Sequence, residues 1–110
     1  MNINKTIKFL LGKSSTQDTN DCVPSYLSSE YDREGAAFHL GELGVNSPQI
    51  LGALCKACLQ DAEEDVRLTS LEALEKIDHK FAIAMAYCMV DDEYENIQEH
   101  ALSIIDSFTN

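Results

Sequence analysis

Three stretches of this chain align with one another without a gap: REGAAFHLGEL (33–43), RLTSLEALEKI (67–77) and QEHALSIIDSF (98–108). Their starts lie 34 and 31 residues apart. Each has a small residue three places after its first residue and hydrophobic residues at seven and ten: Ala36, Leu40 and Leu43; Ser70, Leu74 and Ile77; Ala101, Ile105 and Phe108. A repeat of this length is one supersecondary unit that buries its apolar face by stacking on its neighbours, so the repeat decides the architecture.

A second helix precedes the repeated one. Ser47-Pro48 is a helix start signal, because serine caps free amides and proline suits the first helical position. An apolar stripe follows and recurs 31 residues later: Ile50, Leu51, Leu54, Cys55, Cys58 and Leu59 match Phe81, Ala82, Met85, Ala86, Met89 and Val90. Two D-x-x-E sequences, at 61–64 and 92–95, predict capping boxes at the starts of the later helices. Each unit is thus predicted to be an antiparallel pair, helix A then helix B.

The segment from Ser47 to Ile77 resembles a HEAT-like repeat, whose helix B opens with an aspartate and a Val-Arg pair. Asp65, Val66 and Arg67 match that opening. The similarity covers roughly residues 29–108. The first unit has no clear helix A, and Gln98 stands in the last unit where the family usually has arginine, as in an end unit without a following partner.

The resemblance implies an all-α fold, a short HEAT-like α-solenoid of about two and a half to three antiparallel helix pairs. We expect one domain over 1–110, with units at approximately 24–44, 47–77 and 78–108 and an N-terminal helix at 3–11. Residues 13–21 contain no apolar side chain and predict a loop, and 23–27 predict a turn. The first repeated helix should begin near Ser29 and stop at Gly44.

The net charge of −11 is unevenly distributed, with 13 acidic and 3 basic side chains in residues 61–110. So acidic a chain is repelled by phosphate, which disfavours nucleic acid and anionic membranes and favours basic proteins as partners. The apolar run near the N-terminus has about four residues, shorter than the ~7 to 15 of a secretory signal. No stretch approaches the ~20 apolar residues of a membrane span. We therefore expect a cytoplasmic protein.

No motif in the sequence predicts catalysis, a cofactor or a metal ion. Cys55 and Cys58 form a C-x-x-C, the spacing of a redox pair or half a zinc site. Both lie on the apolar stripe, however, so core packing is the favoured interpretation, and the four cysteines are expected to be reduced. The three histidines stand in no recognisable catalytic order, and phosphate-binding loops are absent. The chain is predicted not to be an enzyme.

Acidic residues gather at the predicted start of each helix B, and stacking would align them in an acidic ridge that binds a partner. They are Glu30, Asp32, Glu34, Asp61, Glu63, Glu64, Asp65, Asp91, Asp92, Glu93 and Glu95. The alternative is that they only answer the helix dipole, at ~0.3–1 kcal/mol each.

The outer face of the B helices adds further candidates for partner binding: Phe38, Glu42, Glu72 and Glu99. An aromatic residue among acids is typical of a binding hot spot for a basic partner. In the alternative interpretation Phe38 covers the end of the first unit or meets the N-terminal helix.

These features predict a non-enzymatic, protein-binding module. Size, charge and helical build are similar to those of bacterial immunity proteins, which implies an acidic inhibitor that neutralises a basic, nuclease-type toxin, with a monomer favoured. Two alternatives stay open. One is a general HEAT-repeat scaffold or adaptor, and the other is a HEAT-like chromophore lyase or maturation factor, for which Cys22 is the candidate reactive cysteine.

Overall fold

A computed structural model describes residues 3–12 and 30–109, with side chains from residue 33 onward in the second range. These residues form six α-helices: α1 (Ile3–Leu10), α2 (Glu30–Leu43), α3 (Pro48–Gln60), α4 (Glu64–Ile77), α5 (His79–Met89) and α6 (Glu95–Thr109). No strand occurs among them, so the all-α prediction is confirmed. The predicted loop and turn, and the start of the first unit, lie outside the described residues. Within the described part, no helix combines the length and apolarity needed to cross a membrane.

Local signals place the ends of two helices where the sequence predicts them. The Ser47 hydroxyl accepts a hydrogen bond from the Ile50 amide at 3.3 Å, and Pro48 occupies the first position of α3. Gly44 ends α2 with φ of +64°, a left-handed conformation that glycine adopts without a steric penalty. Its amide donates to the Gly41 carbonyl at 3.2 Å.

The predicted capping box is wrong at α4. That helix begins at Glu64, its N-cap is Glu63, and no side chain caps it. Asp61 instead accepts the amide of Glu63 at 3.0 Å in a turn before the helix, and Asp92 accepts the amide of Tyr94 in the same way. Each aspartate lies three residues before the first residue of its helix, and its carboxylate also binds an arginine of the preceding repeated helix, as described below.

The helix contacts follow the order of the repeat. Helices α1, α3 and α5 contact one another in succession, as do α2, α4 and α6. Each pair α1–α2, α3–α4 and α5–α6 is also in contact, and α2 packs most extensively on α4. The short N-terminal helix therefore lies against α2 and α3, and supplies the first repeated helix with the neighbour that the sequence of its own unit lacked.

One apolar cluster runs through all six helices. Leu10, Leu40, Leu54, Leu74 and Ile97 are among its fully buried members. Burying a side chain of this size contributes about 1.5–3 kcal/mol, so the stripes that defined the repeat also supply its stability. The core also contains Cys58, which is 1% exposed, whereas Cys55 is partly buried. The favoured interpretation of the C-x-x-C, core packing, is confirmed for Cys58.

Gly41 of α2 lies directly against Ala73 of α4. A Cβ atom added to this glycine would lie 2.9 Å from both Cα and Cβ of Ala73. Contacts that short do not occur between carbon atoms, so only glycine permits this crossing. The sequence interpretation of residues 41–44 as merely a helix end missed this packing role.

Candidate protein-binding surface

Two arginines join successive units through their side chains. Arg67 in α4 binds both carboxylate oxygens of Asp92, in the turn before α6, with Nε and Nη2 each at 3.0 Å. Arg33 in α2 binds Asp61, before α4, in the same bidentate manner at 3.0 and 3.3 Å. Each arginine thus binds the turn that leads into the next repeated helix. A bidentate arginine–carboxylate contact is stronger than an ion pair with a single hydrogen bond.

The Arg67–Asp92 pair is nearly enclosed, with side chains 9% and 10% exposed. Burial alone raises the pKa of Asp92, but the hydrogen bonds from Arg67 and from the Tyr94 amide outweigh it and hold the pKa below its usual value. The pKa of Arg67 is raised, chiefly by its hydrogen bonds to Asp92. Both groups therefore stay charged in the folded protein near neutral pH.

Gln98 in α6 reproduces one of the three hydrogen bonds of Arg67. Arg67 also donates to the backbone carbonyl of Asp61 at 2.8 Å, six residues earlier. Gln98 donates to the carbonyl of Asp92, again six residues earlier. Gln98 therefore stabilises the turn before its own helix as Arg67 does, but it has no positive charge with which to bind a carboxylate of a following unit.

The acidic ridge predicted from the sequence, called the acidic edge from here on, contains carboxylates of two kinds: some are bound within the protein and others are exposed to solvent. Asp61 and Asp92 are bound by arginines, and the Asp61 side chain is 8% exposed. Glu63 and Glu64 are half-buried at the start of α4. The exposed carboxylates are Asp65, Asp91, Glu93 and Glu95. The side chains of Glu30 and Asp32 are outside the described part, so these four are the exposed carboxylates of the edge among the side chains that the structure describes.

The other predicted surface forms a groove between α2 and α4. It has a volume of about 220 Å³ and is lined by Phe38, Thr69, Glu72, Ala73 and Lys76. The Phe38 ring is 54% exposed. At the rim, the Thr69 hydroxyl donates to Glu34 at 3.3 Å, which links the two helices.

A lysine of the protein itself occupies one side of this groove. The Lys76 ammonium lies 4.7 Å from the centroid of the Phe38 ring, within the range of a cation–π contact, and forms an ion pair with Glu42. Both members of that ion pair are about half exposed. An aromatic face and a carboxylate thus converge on one primary ammonium group at the surface.

The third repeated helix has a different outer surface. Glu99 is exposed, and His100 contacts Glu75 of α4 instead of facing solvent alone. The aromatic and acidic groups around Phe38 therefore have no counterpart on α6, where Ser103 stands at the position of Phe38.

The cysteines show no sign of nucleophilic activation. Burial, and then the neighbouring Cys88, raise the pKa of the Cys55 thiol. Burial likewise raises the pKa of Cys58. Raised values disfavour the reactive thiolate. Among residues 3–12 and 30–109, no three His, Cys, Asp or Glu side chains gather as metal ligands. Cys22 lies outside this part of the chain.

A larger cavity, of about 320 Å³, lies beside α1 and α3. Its apolar wall comes from Leu10 and Leu11, and its polar wall includes the Arg33–Asp61 pair. Those two charges are already bound to each other. The cavity therefore offers less to a charged partner than the groove beside Phe38.

Sequence reasoning found Phe38 and Glu72 of the groove but missed the arginine–aspartate pairs. The signal was present, because the arginines at 33 and 67 and the aspartates at 61 and 92 both recur with the repeat. Opposite charges that recur in successive units, here 28 and 25 residues apart, predict a contact between units. No family model, curated protein or solved structure matches this chain, so its function has to be inferred from the geometry described here.

Proposed function

We propose that the protein is a short HEAT-like α-solenoid that acts without catalysis, binding a basic protein in the cytoplasm. The partner class we favour is a nuclease-type toxin, which makes the chain an acidic immunity or inhibitor protein. The observation that carries the proposal is the contact of the Lys76 ammonium with the Phe38 ring and the Glu42 carboxylate.

Lys76 indicates the chemistry that the groove accepts. If a lysine or arginine of a partner displaced Lys76, it would contact the exposed face of Phe38. The carboxylates of Glu42 and Glu72 lie beside that face. A cation over an aromatic ring is worth about 0.5–2 kcal/mol, more as water is excluded. Buried aromatic anchors ringed by polar groups are also typical binding hot spots. Phe38 is therefore the proposed centre of the interface.

The surrounding charge favours partners of the same class. Residues 61–110 have a net charge of −10, counting 13 acids against 3 bases, and Asp65, Asp91, Glu93 and Glu95 face solvent. Such a field speeds the approach of a basic protein and weakens with salt. Proteins that bind nucleic acid carry basic clefts, and an acidic protein in that cleft excludes the substrate.

The solenoid part of the proposal rests on repetition. Successive helices contact one another in the order of the repeat, and the same arginine–aspartate pair recurs at both junctions. Stacked units of this kind build an extended surface for binding from one helix of each unit. The groove beside Phe38 lies between two such helices, α2 and α4.

The test begins with the immobilised chain and a lysate of its source organism. The captured protein is identified, purified and titrated against the chain in 50 and 500 mM NaCl. We expect a basic protein whose Kd rises at least tenfold with salt. We also expect Phe38→Ala and Glu72→Gln to raise the Kd about tenfold each, because they remove the aromatic face and one carboxylate.

Two variants serve as matched controls. Leu59→Ala removes an exposed apolar side chain from α3, and Asp106→Asn removes one exposed charge from α6. Both should leave the Kd within about twofold. A captured partner that is not basic would refute the charge-based proposal and support a general scaffold. So would a partner whose Kd changes neither with salt nor with Phe38→Ala.

A further inference from the structure

Four positions are buried in the second unit but exposed at the matching place in the third. The pairs, with the second unit first, are Ile50 and Phe81, Ala53 and Ala84, Ala57 and Cys88, and Leu71 and Leu102. The contrast is largest in the repeated helix, where Leu71 is fully buried and Leu102 is 55% exposed. Other matched positions, such as Cys58 and Met89, are buried in both units.

This contrast identifies one face of the last helix pair. Helices α3 and α4 have α5 and α6 packed against them, whereas no described element packs on the far side of α5 and α6. Positions that lose burial between the two units are those that a following helix pair would cover. Phe81, Ala84, Cys88 and Leu102 therefore form an end face with the same apolar pattern that is covered at the preceding junction.

We propose that this end face, formed by α5 and α6, binds the same face of a second copy of the chain around a two-fold axis. The occupant is then a helix pair, as it is at the junction between the second and third units. A two-fold arrangement pairs one face with itself and closes, whereas a head-to-tail arrangement continues without limit unless it forms a ring.

The charged positions disfavour the head-to-tail alternative. Each internal junction carries an arginine–aspartate pair. In the third unit Gln98 replaces the arginine, and in the first unit Leu27 stands six residues before Arg33, where the later units have aspartate. A head-to-tail contact would therefore lack the ion pair on both sides. A face-to-face contact requires none.

Size and charge set the expected affinity. Helices α6 and α5 have 15 and 11 residues and are about 22 and 16 Å long, so the face covers roughly 400 Å² per copy, or 800 Å² in total, the size of a weak and transient interface. We therefore expect a dimer with a micromolar Kd and a monomer at lower concentrations. Each copy carries a net charge of −11, so two copies repel each other. Salt should consequently strengthen the dimer.

Sedimentation equilibrium of the full chain tests the proposal, at 5–300 µM protein in 50 and 500 mM NaCl with a reductant that prevents disulfides through Cys88. Leu102→Gln and Ala84→Glu alter the face from two different helices, and both residues are exposed, so the fold is retained. Leu59→Gln is the control, because Leu59 is 49% exposed in a unit that already has neighbours. Circular dichroism confirms that each variant is folded.

We expect the wild type and Leu59→Gln to dimerise with the same Kd, which decreases at 500 mM NaCl. Leu102→Gln and Ala84→Glu should each raise that Kd at least tenfold. A wild type that stays monomeric at 300 µM, or a dimer that both face variants leave intact, would overturn the proposal. The outcome is independent of the basic partner, whose binding weakens with salt and depends on Phe38 on another surface.

Discussion

Replacing Arg67 by glutamine tests whether the arginine–aspartate pairs hold successive units together. The substitution copies the third unit, where Gln98 occupies the same position. Glutamine can keep the hydrogen bond to the carbonyl six residues earlier, as Gln98 does. It cannot keep the bidentate bond to Asp92, so the change isolates the contact between the units.

The cost follows from the enclosure of the carboxylate. Asp92 is 10% exposed, and without Arg67 its charge has only the Tyr94 amide as a described partner. Removing one member of a buried ion pair costs about 3–5 kcal/mol, because the other is left uncompensated. Asp92 keeps some access to water and its amide hydrogen bond, so we expect a cost somewhat below this range, about 2–3 kcal/mol. That is a large part of the ~5–15 kcal/mol that stabilises a typical domain.

Urea unfolding followed by circular dichroism measures this change. With an m-value of ~1–3 kcal/mol/M, the midpoint should fall by about 0.7–3 M. The matched control is Lys76→Gln, which breaks a half-exposed ion pair with Glu42 and should cost less than about 1 kcal/mol. In the double variant with Asp92→Asn, most of the lost stability should return, since no charge is then left unpaired.

A loss below about 1 kcal/mol for Arg67→Gln, no larger than for Lys76→Gln, would refute this reasoning. So would a double variant that is less stable than Arg67→Gln alone. Either result would mean that the carboxylate is well solvated without its arginine, and that packing alone connects the units.

Three further predictions follow from the structure. Gly41→Ala should destabilise the protein by about 1–3 kcal/mol in urea unfolding, because the new methyl group meets the backbone of α4, whereas Gly52→Ala has open space and should stabilise it by up to ~1 kcal/mol. Ser70→Ala should be neutral or stabilising by about 1 kcal/mol, since the Ser70 hydroxyl is buried without a hydrogen-bond partner; a clear loss of stability would contradict this. The pKa of Asp92 is lower in the folded than in the unfolded protein. Ionised Asp92 therefore stabilises the fold at pH values above its unfolded pKa of ~3.9, and this stabilisation is lost as the pH falls through its folded pKa. The free energy of unfolding should therefore fall more between pH 5 and pH 3 in the wild type than in Arg67→Gln, as urea titrations at both pH values would measure.

Helix positions were predictable because apolar periodicity and a few local signals determine them. Ser47-Pro48 and Gly44 mark helix ends through their own backbone chemistry, and the structure places the ends there. The starts of α4 and α6 were predicted less well. In the sequence Asp61 and Asp92 have the positions of helix caps. In the structure, arginines 28 and 25 residues earlier bind their carboxylates. Only the folded arrangement decides between a local and a distant partner.

The same competition explains the difference between the predicted and the observed acidic edge. Sequence alone treats Asp61 and Asp65 as equivalent acids at the start of a helix, whereas in the structure one is bound to Arg33 and the other faces solvent. The role of Gly41 was equally hidden, because a close helix crossing depends on which residue stands opposite. Exposure of Phe38, in contrast, followed directly from its place on the repeated helix.

The effect of Lys76→Gln on the affinity for the captured basic protein tests the central claim most directly. If a partner's cation takes the place of Lys76 on Phe38, removing this lysine removes a competitor and should lower the Kd several-fold. Lys80→Gln is the control, because it removes the same charge from an exposed position on α5. The account predicts that Lys76→Gln tightens binding clearly more than Lys80→Gln does. Equal effects of the two variants, or weaker binding by Lys76→Gln, would contradict it.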